Sequence, residues 1–284
     1  MKNRQKKQGN RPLTSVQKLF LLAIIAIALA GSLLFIRFSG KKTAPPLPPE
    51  GTALPSPDHS PAHPKPASAK VAIIIDDIGN QKKLAEEFIA LNLNLSYSIL
   101  PQSPFAEVLA KKITAAGKDL LLHLPLEPSD PKWDPGPGAL MLAMSAQTMT
   151  NTFNNDLRGF NFIGTNNHMG SKFTADSAAM HTLLSAVKDK GLFYVDSLTT
   201  AKSVGYKTAR ELGIKTAKRD IFLDNDQTPQ AIAGQFTQLI AVAKRQGSAI
   251  AICHPHPATL KFLTAFRPTL AKDVELVGIH ELVN

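Results

Sequence analysis

From Lys70 onward the chain alternates short, apolar, β-prone runs with longer stretches of helical spacing. The runs VAIII (71–75), LSYSI (95–99), DLLLHL (119–124), FNFIGT (160–165), LFYV (192–195), AIAIC (249–253) and VELVG (274–278) read as strands, with a weaker pair within 214–223. Between them, 81–91, 105–116, 145–158, 174–189, 201–212 and 229–246 have the length and periodicity of helices. Ser145 and Thr174 sit where N-terminal caps belong, and Gly117, Gly191, Gly213 and Gly247 each end a helical run ahead of a strand. Strands that are apolar on both faces and joined through helices rather than hairpins predict a parallel sheet covered by helices. Seven or eight such units predict an α/β fold, a TIM-like distorted (β/α) barrel rather than an open sheet. The segment PSDPKWDPGPG (128–138) directly follows a strand, which suits an active-site loop better than an interdomain linker.

The first 69 residues have a different texture. Six basic side chains (Lys2, Arg4, Lys6, Lys7, Arg11 and Lys18) precede an uncharged apolar run over 19–36. A helix of that length would just cross a bilayer, and the basic flank predicts a cytoplasmic tail at 1–18 with the rest of the chain across the membrane. Ala28-Leu29-Ala30 before Gly31 offers the competing reading of a cleaved signal. A Pro-rich linker at 37–69 would follow, its His59 and His63 read as solvated spacer residues, and then the domain at 70–284. These features predict a single-pass inner-membrane protein with a periplasmic C-terminal domain, or a periplasmic protein if the segment is removed.

The formal charge of +10 does not make this a nucleic-acid binder, because residues 1–69 carry 10 of the 32 basic and 2 of the 22 acidic side chains. The remaining 22 basic and 20 acidic residues leave the domain nearly neutral. The single cysteine, Cys253, excludes an intramolecular disulfide and a thiolate zinc cluster.

In parallel α/β folds chemistry collects at the carboxyl ends of the strands. The first strand runs into Asp76-Asp77, the third into His123, the fourth into Asn166-Asn167-His168-Met169-Gly170-Ser171, the fifth into Asp196 and the penultimate into His254-Pro255-His256. His181, inside a helix, and His280, after the last strand, fall elsewhere. Two adjacent carboxylates at a buried strand end require a metal, a cation or hydrogen-bond donors. They could instead cap the following helix, as His123 could be a satisfied core histidine and His254 and His256 a surface turn. One Asp with two imidazoles would leave open positions on a divalent ion, a catalytic arrangement, and zinc suits imidazole-rich ligation best. The other Asp could then act as base, with His254 or His256 as the acid. Asn166, Asn167, Ser171 and Asp196 are candidates for substrate or supporting hydrogen bonds, and Glu127 for orienting an imidazole.

The motifs IIIDDIGN, LSYSILP, LLLHLPLEP, NNHMGSKFT, YVDSLT and AICHPHP, in that order, resemble the divergent polysaccharide deacetylase family, which is similar to the NodB-type metal-dependent deacetylases. The resemblance implies a distorted (β/α) barrel and hydrolysis of acetyl groups on a polysaccharide with one divalent metal ion. It further implies Asp76 as catalytic base, Asp77 as metal ligand, and His254 or His256 as catalytic acid. Two departures stand out. HLPLE replaces the usual H-[ST]-x-x-H ligand motif, so His123 must find its partner imidazole elsewhere, in His168, and the usual Arg-bearing segment is unrecognisable.

The expected function is therefore a metal-dependent carbohydrate deacetylase acting on an envelope polysaccharide or peptidoglycan-type glycan. Two alternatives stand beside it: a weakly catalytic or noncatalytic metal-containing glycan-binding or envelope-assembly factor, and another metal-assisted hydrolase.

Overall fold

The computed structural model describes residues 68–284. Nine strands run in parallel: β1 (Lys70–Ile78), β2 (Ser96–Ile99), β3 (Leu120–Leu126), β4 (Gly164–Met169), β5 (Phe193–Asp196), β6 (Thr216–Lys218), β7 (Ile221–Phe222), β8 (Ser248–Cys253) and β9 (Glu275–Leu276). The helices between them are α1 (Lys82–Ala90), α2 (Ala106–Ala115), α3 (Ala146–Asp156), α4 (Ser177–Asp189), α5 (Gly205–Glu211), α6 (Pro229–Gln246) and α7 (Pro257–Asp273).

The strand order is β6-β5-β4-β3-β2-β1-β8-β7, with β9 beside the start of β1. No ladder joins β6 to β7, so the expected TIM-like barrel is corrected to a curled, distorted β/α half-barrel. The chain itself spans the gap. Arg219 and Asp220 carry it from one edge strand to the other, their amides donating to Asp196 O on one side and Ile250 O on the other. Strands of three and two residues are too short to build a continuous ladder there.

Period-two alternation sorts each strand into two faces. On β1, Val71, Ile73 and Ile75 pack into the main core under the helices, while Ala72 and Ile74 belong to a second core with Leu121, Val195, Ile250 and Ile252. C-terminal residues close the amino end of this second core. Ile279 and Val283 are buried within it, and Thr216 exchanges backbone hydrogen bonds with Asn284.

Ser145 caps α3 by accepting from the Thr148 amide at 3.2 Å. Thr174 does not cap α4. Asp176 does, through the Ala179 amide at 2.9 Å, and Thr174 lies in a preceding 3-10 turn. Gly247 ends α6 in the left-handed conformation, φ 87°, that favours glycine at a helix terminus. Helix α7 starts within HPHP, at Pro257, where a missing N–H is harmless.

Among the described residues no helix is long and apolar enough to cross a membrane. The expected anchor at 19–36, the tail at 1–18 and most of the linker at 37–69 lie outside the described residues. The expected transmembrane element, membrane partner and inner-membrane placement thus find no support in the described fold, which contains no membrane-crossing helix.

Candidate active site

The two aspartates owe their placement to an interruption of β1. Its pairing with β2 runs Ile74↔Ser96 and Ile75↔Tyr97, then jumps to Ile78↔Ile99, so three steps on β1 oppose two on β2. The extra residue is a β-bulge, a device that bends a strand and re-aims its side chains. Asp77 carries it with a left-handed φ of 55°, and Gly79 follows at φ 133°, where a Cβ would collide with Ser103 Oγ. Adjacent residues that would otherwise diverge now reach the same imidazole. Asp76 Oδ2 lies 3.6 Å and Asp77 Oδ1 3.1 Å from His123 Nε2.

His123 is 2% exposed and fixed by Asn166, whose Oδ1 accepts from the ring Nδ1–H at 2.9 Å. That bond keeps a proton on Nδ1 and turns Nε2 toward Asp77. Ser98 Oγ also donates to Asn166 Oδ1, while Asn166 Nδ2 donates to Asp76 Oδ1 at 2.8 Å and Ser197 Oγ at 3.3 Å. The second imidazole comes from the neighbouring strand. His168, two residues beyond Asn166 on β4, has its Nδ1 2.9 Å from Asp77 Oδ1 and 3.2 Å from His123 Nε2.

These three atoms suit a divalent ion. Asp77 Oδ1 is buried and aligned for a hydrogen bond with neither nitrogen, although both are close. Ligands about 2.0–2.1 Å from a tetrahedral ion lie about 3.3 Å from one another, near the 2.9, 3.1 and 3.2 Å separations here. Charge follows the same logic. Burial disfavours ionised Asp77, but the two imidazoles outweigh it and hold the carboxyl far below the usual range. Burial likewise opposes a charged His123, yet Asp76 and Asp77 push it up to about 9. Asp76 is raised by burial, with His123, His254 and Asn166 pulling the other way.

Across the rim, His254 Nε2 points toward Asp77 Oδ2 at 3.9 Å. Asp224 holds it, taking the His254 amide at 2.7 Å, the ring Nδ1–H at 3.1 Å and Thr259 Oγ at 2.7 Å. Asp224, His254 and His256 also lie close enough to suggest a second ion. Three donors already occupy Asp224, however, so the cluster reads more simply as an imidazole with its orienting carboxylate. His254 lines the cavity beside Asp76 and His123, and His256 does not.

The remaining predicted residues support loops. Asn167 Oδ1 accepts from Tyr194 Oη and the Ser197 amide, and fully buried Asp196 gathers the Leu198 and Tyr206 amides with Ser203 Oγ. Ser171 Oγ accepts from the Ser129 amide at 2.9 Å. Glu127 takes the Leu142 amide and pairs with Lys172, so its partners include no imidazole. Asp224 and Arg219 are the residues the sequence reading missed. Both follow the short strands β6 and β7, whose only sequence signal is the weak apolar pair within 214–223.

Two cavities flank His168. One, about 390 Å³, is lined by Asp76, His123, His254, Arg219 and Phe222 among others. The other, about 380 Å³, lies between Asp77, Gln102 and the 134–137 segment of the predicted active-site loop.

Comparison with known proteins identifies relatives of the chain and of its fold. The chain is 40% identical over 220 residues to an uncharacterised protein of Haemophilus influenzae, covering 76% of this chain and 77% of that one. It is 34% identical over 218 residues to YibQ of Escherichia coli, covering 76% and 68%. The crystal structure of ATU2773 from Agrobacterium tumefaciens shares the fold, with a TM-score of 0.73 at 22% identity over 76% of this chain and 90% of that one. With the match to the family extending over residues 73–283, from the interior of β1 almost to the C-terminus, the chain belongs to the divergent polysaccharide deacetylase family.

Proposed function

We propose that this protein is a metal-dependent deacylase that removes acetyl groups from a glycan. The convergence of Asp77 Oδ1, His123 Nε2 and His168 Nδ1 carries the reading, since three lone-pair atoms gather around one point beside an open cavity. A divalent ion held by these residues would supply a Lewis acid for the acyl carbonyl, and zinc matches the donor set.

The protein's own groups would divide the proton transfers. Asp76, pinned through Oδ1 by Asn166, keeps Oδ2 for a proton from the attacking water. His254, held at Nδ1 by Asp224, keeps Nε2 for protonating the leaving nitrogen or oxygen. Burial of Asp76 makes it a stronger base than an exposed carboxylate. His254 suffers a burial penalty on its charged form, but Asp224, Asp76 and Asp77 raise its affinity for a proton, as an acid in that position requires. The missing H-[ST]-x-x-H motif does not argue for a noncatalytic protein, because β4 supplies the second imidazole in register with β3, His168 opposite Pro125.

The test is acetate release from N-acetylated and O-acetylated glycans by full-length, metal-loaded protein, alongside Asp76→Asn. Release by the parent and a loss of about 10²–10⁴-fold in the variant, at unchanged metal content, are expected. Undiminished release in the variant removes Asp76 as base. Absence of release from every glycan, with metal bound, rejects the hydrolase.

A further inference from the structure

Arg219 occupies the two-residue passage between β6 and β7 and lines the cavity that holds Asp76, His123 and His254. Its guanidinium is held along one edge. Nε donates to Ser197 O at 2.7 Å and Nη2 to Leu198 O at 2.9 Å. Leu198 has a left-handed φ of 47°, an uncommon state for a branched residue, in the turn that offers these carbonyls. Phe222 lies against the guanidinium, its ring centre 5.1 Å from Cζ.

A guanidinium carries five N–H donors. The two carbonyls use the side formed by Nε and one Nη2 hydrogen, leaving the terminal Nη1–Nη2 edge with its parallel donors. Among the described residues Arg219 belongs to no ion pair. The nearby acids are turned to other partners: both oxygens of Asp196 accept hydrogen bonds from its own loop, and Asp76 faces Asn166 through Oδ1 and His123 through Oδ2, 3.6 Å from Nε2. Burial disfavours the charged guanidinium, with Asp76 and Asp196 acting against that penalty from a distance. A cation placed at such cost, rigid and without a paired anion, is built to receive one.

We infer that Arg219 forms a subsite for a carboxylate on the sugar chain, next to the acyl group under attack, so that the preferred substrate is an acidic glycan. The inference rests on the glycan reading above. A planar carboxylate matches the free edge through two parallel hydrogen bonds, a geometry a lysine cannot reproduce. The residue is a specificity determinant, separate from the proton-transfer groups.

Equilibrium binding to full-length, metal-loaded protein tests it, with two probes: a tetrasaccharide of alternating glucuronate and N-acetylglucosamine, and the same tetrasaccharide with its carboxylates reduced to alcohols. The parent should bind the acidic form at least about tenfold more tightly. Arg219→Gln should bring the two affinities together by weakening only the acidic form, and Arg219→Lys should recover part of the difference; thermal unfolding of each variant checks that it is folded. Equal affinities in the parent, or a Gln variant that is folded and loses both forms equally, overturn the inference. Acetate release from a neutral glycan without carboxylate selectivity rejects this subsite alone. Carboxylate-selective binding abolished by Arg219→Gln, with no acetate released from any glycan, upholds the subsite and rejects the hydrolase.

Discussion

Asp224 grips His254 at two points, the backbone amide at 2.7 Å and ring Nδ1 at 3.1 Å. The double contact fixes both where the imidazole is anchored and which way it turns, leaving Nε2 toward the aspartate pair. Asp224 is therefore a positioning residue for the proposed acid. Asp224→Asn should lower kcat by about 10–100-fold, the usual scale for groups that orient a functional side chain, while KM and bound metal stay constant. Steady-state kinetics with elemental analysis checks this; a parallel loss of metal would instead make Asp224 a ligand.

Removal of any one of Asp77, His123 and His168 by alanine should abolish stoichiometric metal, whereas His254→Ala should retain it. Metal titration of the purified variants decides the matter. Unchanged occupancy in all three would put the ion elsewhere.

Asn166 joins the proposed base to a proposed ligand, donating to Asp76 and accepting from His123. Asn166→Ala frees the imidazole tautomer and leaves buried partners unsatisfied. Metal affinity should fall by about 10–100-fold, and stability by about 1–3 kcal/mol, measured by competitive chelation and chemical denaturation.

Asp156, at the end of α3, is buried with Oδ2 unpartnered while Oδ1 accepts from Gln102 at 2.9 Å. Burial pushes its carboxyl up to about 6, with Gln102 opposing. A folded-state value above the unfolded one means that the fold holds the proton longer. Stability conferred by the neutral form is complete below about 4, and it is lost as pH rises through about 6. Relative to Asp156→Asn, the parent should therefore lose melting temperature across that interval and run level above it. A difference independent of pH would contradict this.

The inward files of the strands explain what was readable. Ala72, Ile74 and Asp76 alternate along β1, as do Ile250, Ile252 and His254 along β8 and its end, so each file turns from apolar to ionisable at its carboxyl end. A strand-end rule finds such residues from sequence. β4 was harder. Its sequence GTNNHM carries no apolar alternation, because Asn166 and His168 serve the site and Asn167 ties down the next loop. The sequence pattern accordingly predicts a strand at 160–165, whereas the strand begins at Gly164. Helix α7 and the length of β6 and β7 escaped for a related reason: HPHP reads as a turn, and two or three residues are too few for periodicity.

The bulge in β1 amounts to one residue more than the sheet needs. Shortening the chain by Asp76 or Asp77 would let β1 and β2 pair without interruption and relieve the left-handed backbone at that point. The fold would survive such a deletion more readily than the chemistry would, since a single remaining carboxylate cannot both hold an ion and take up a proton. Loss of activity in this architecture thus needs no loss of folding, only a return of one strand to regular register.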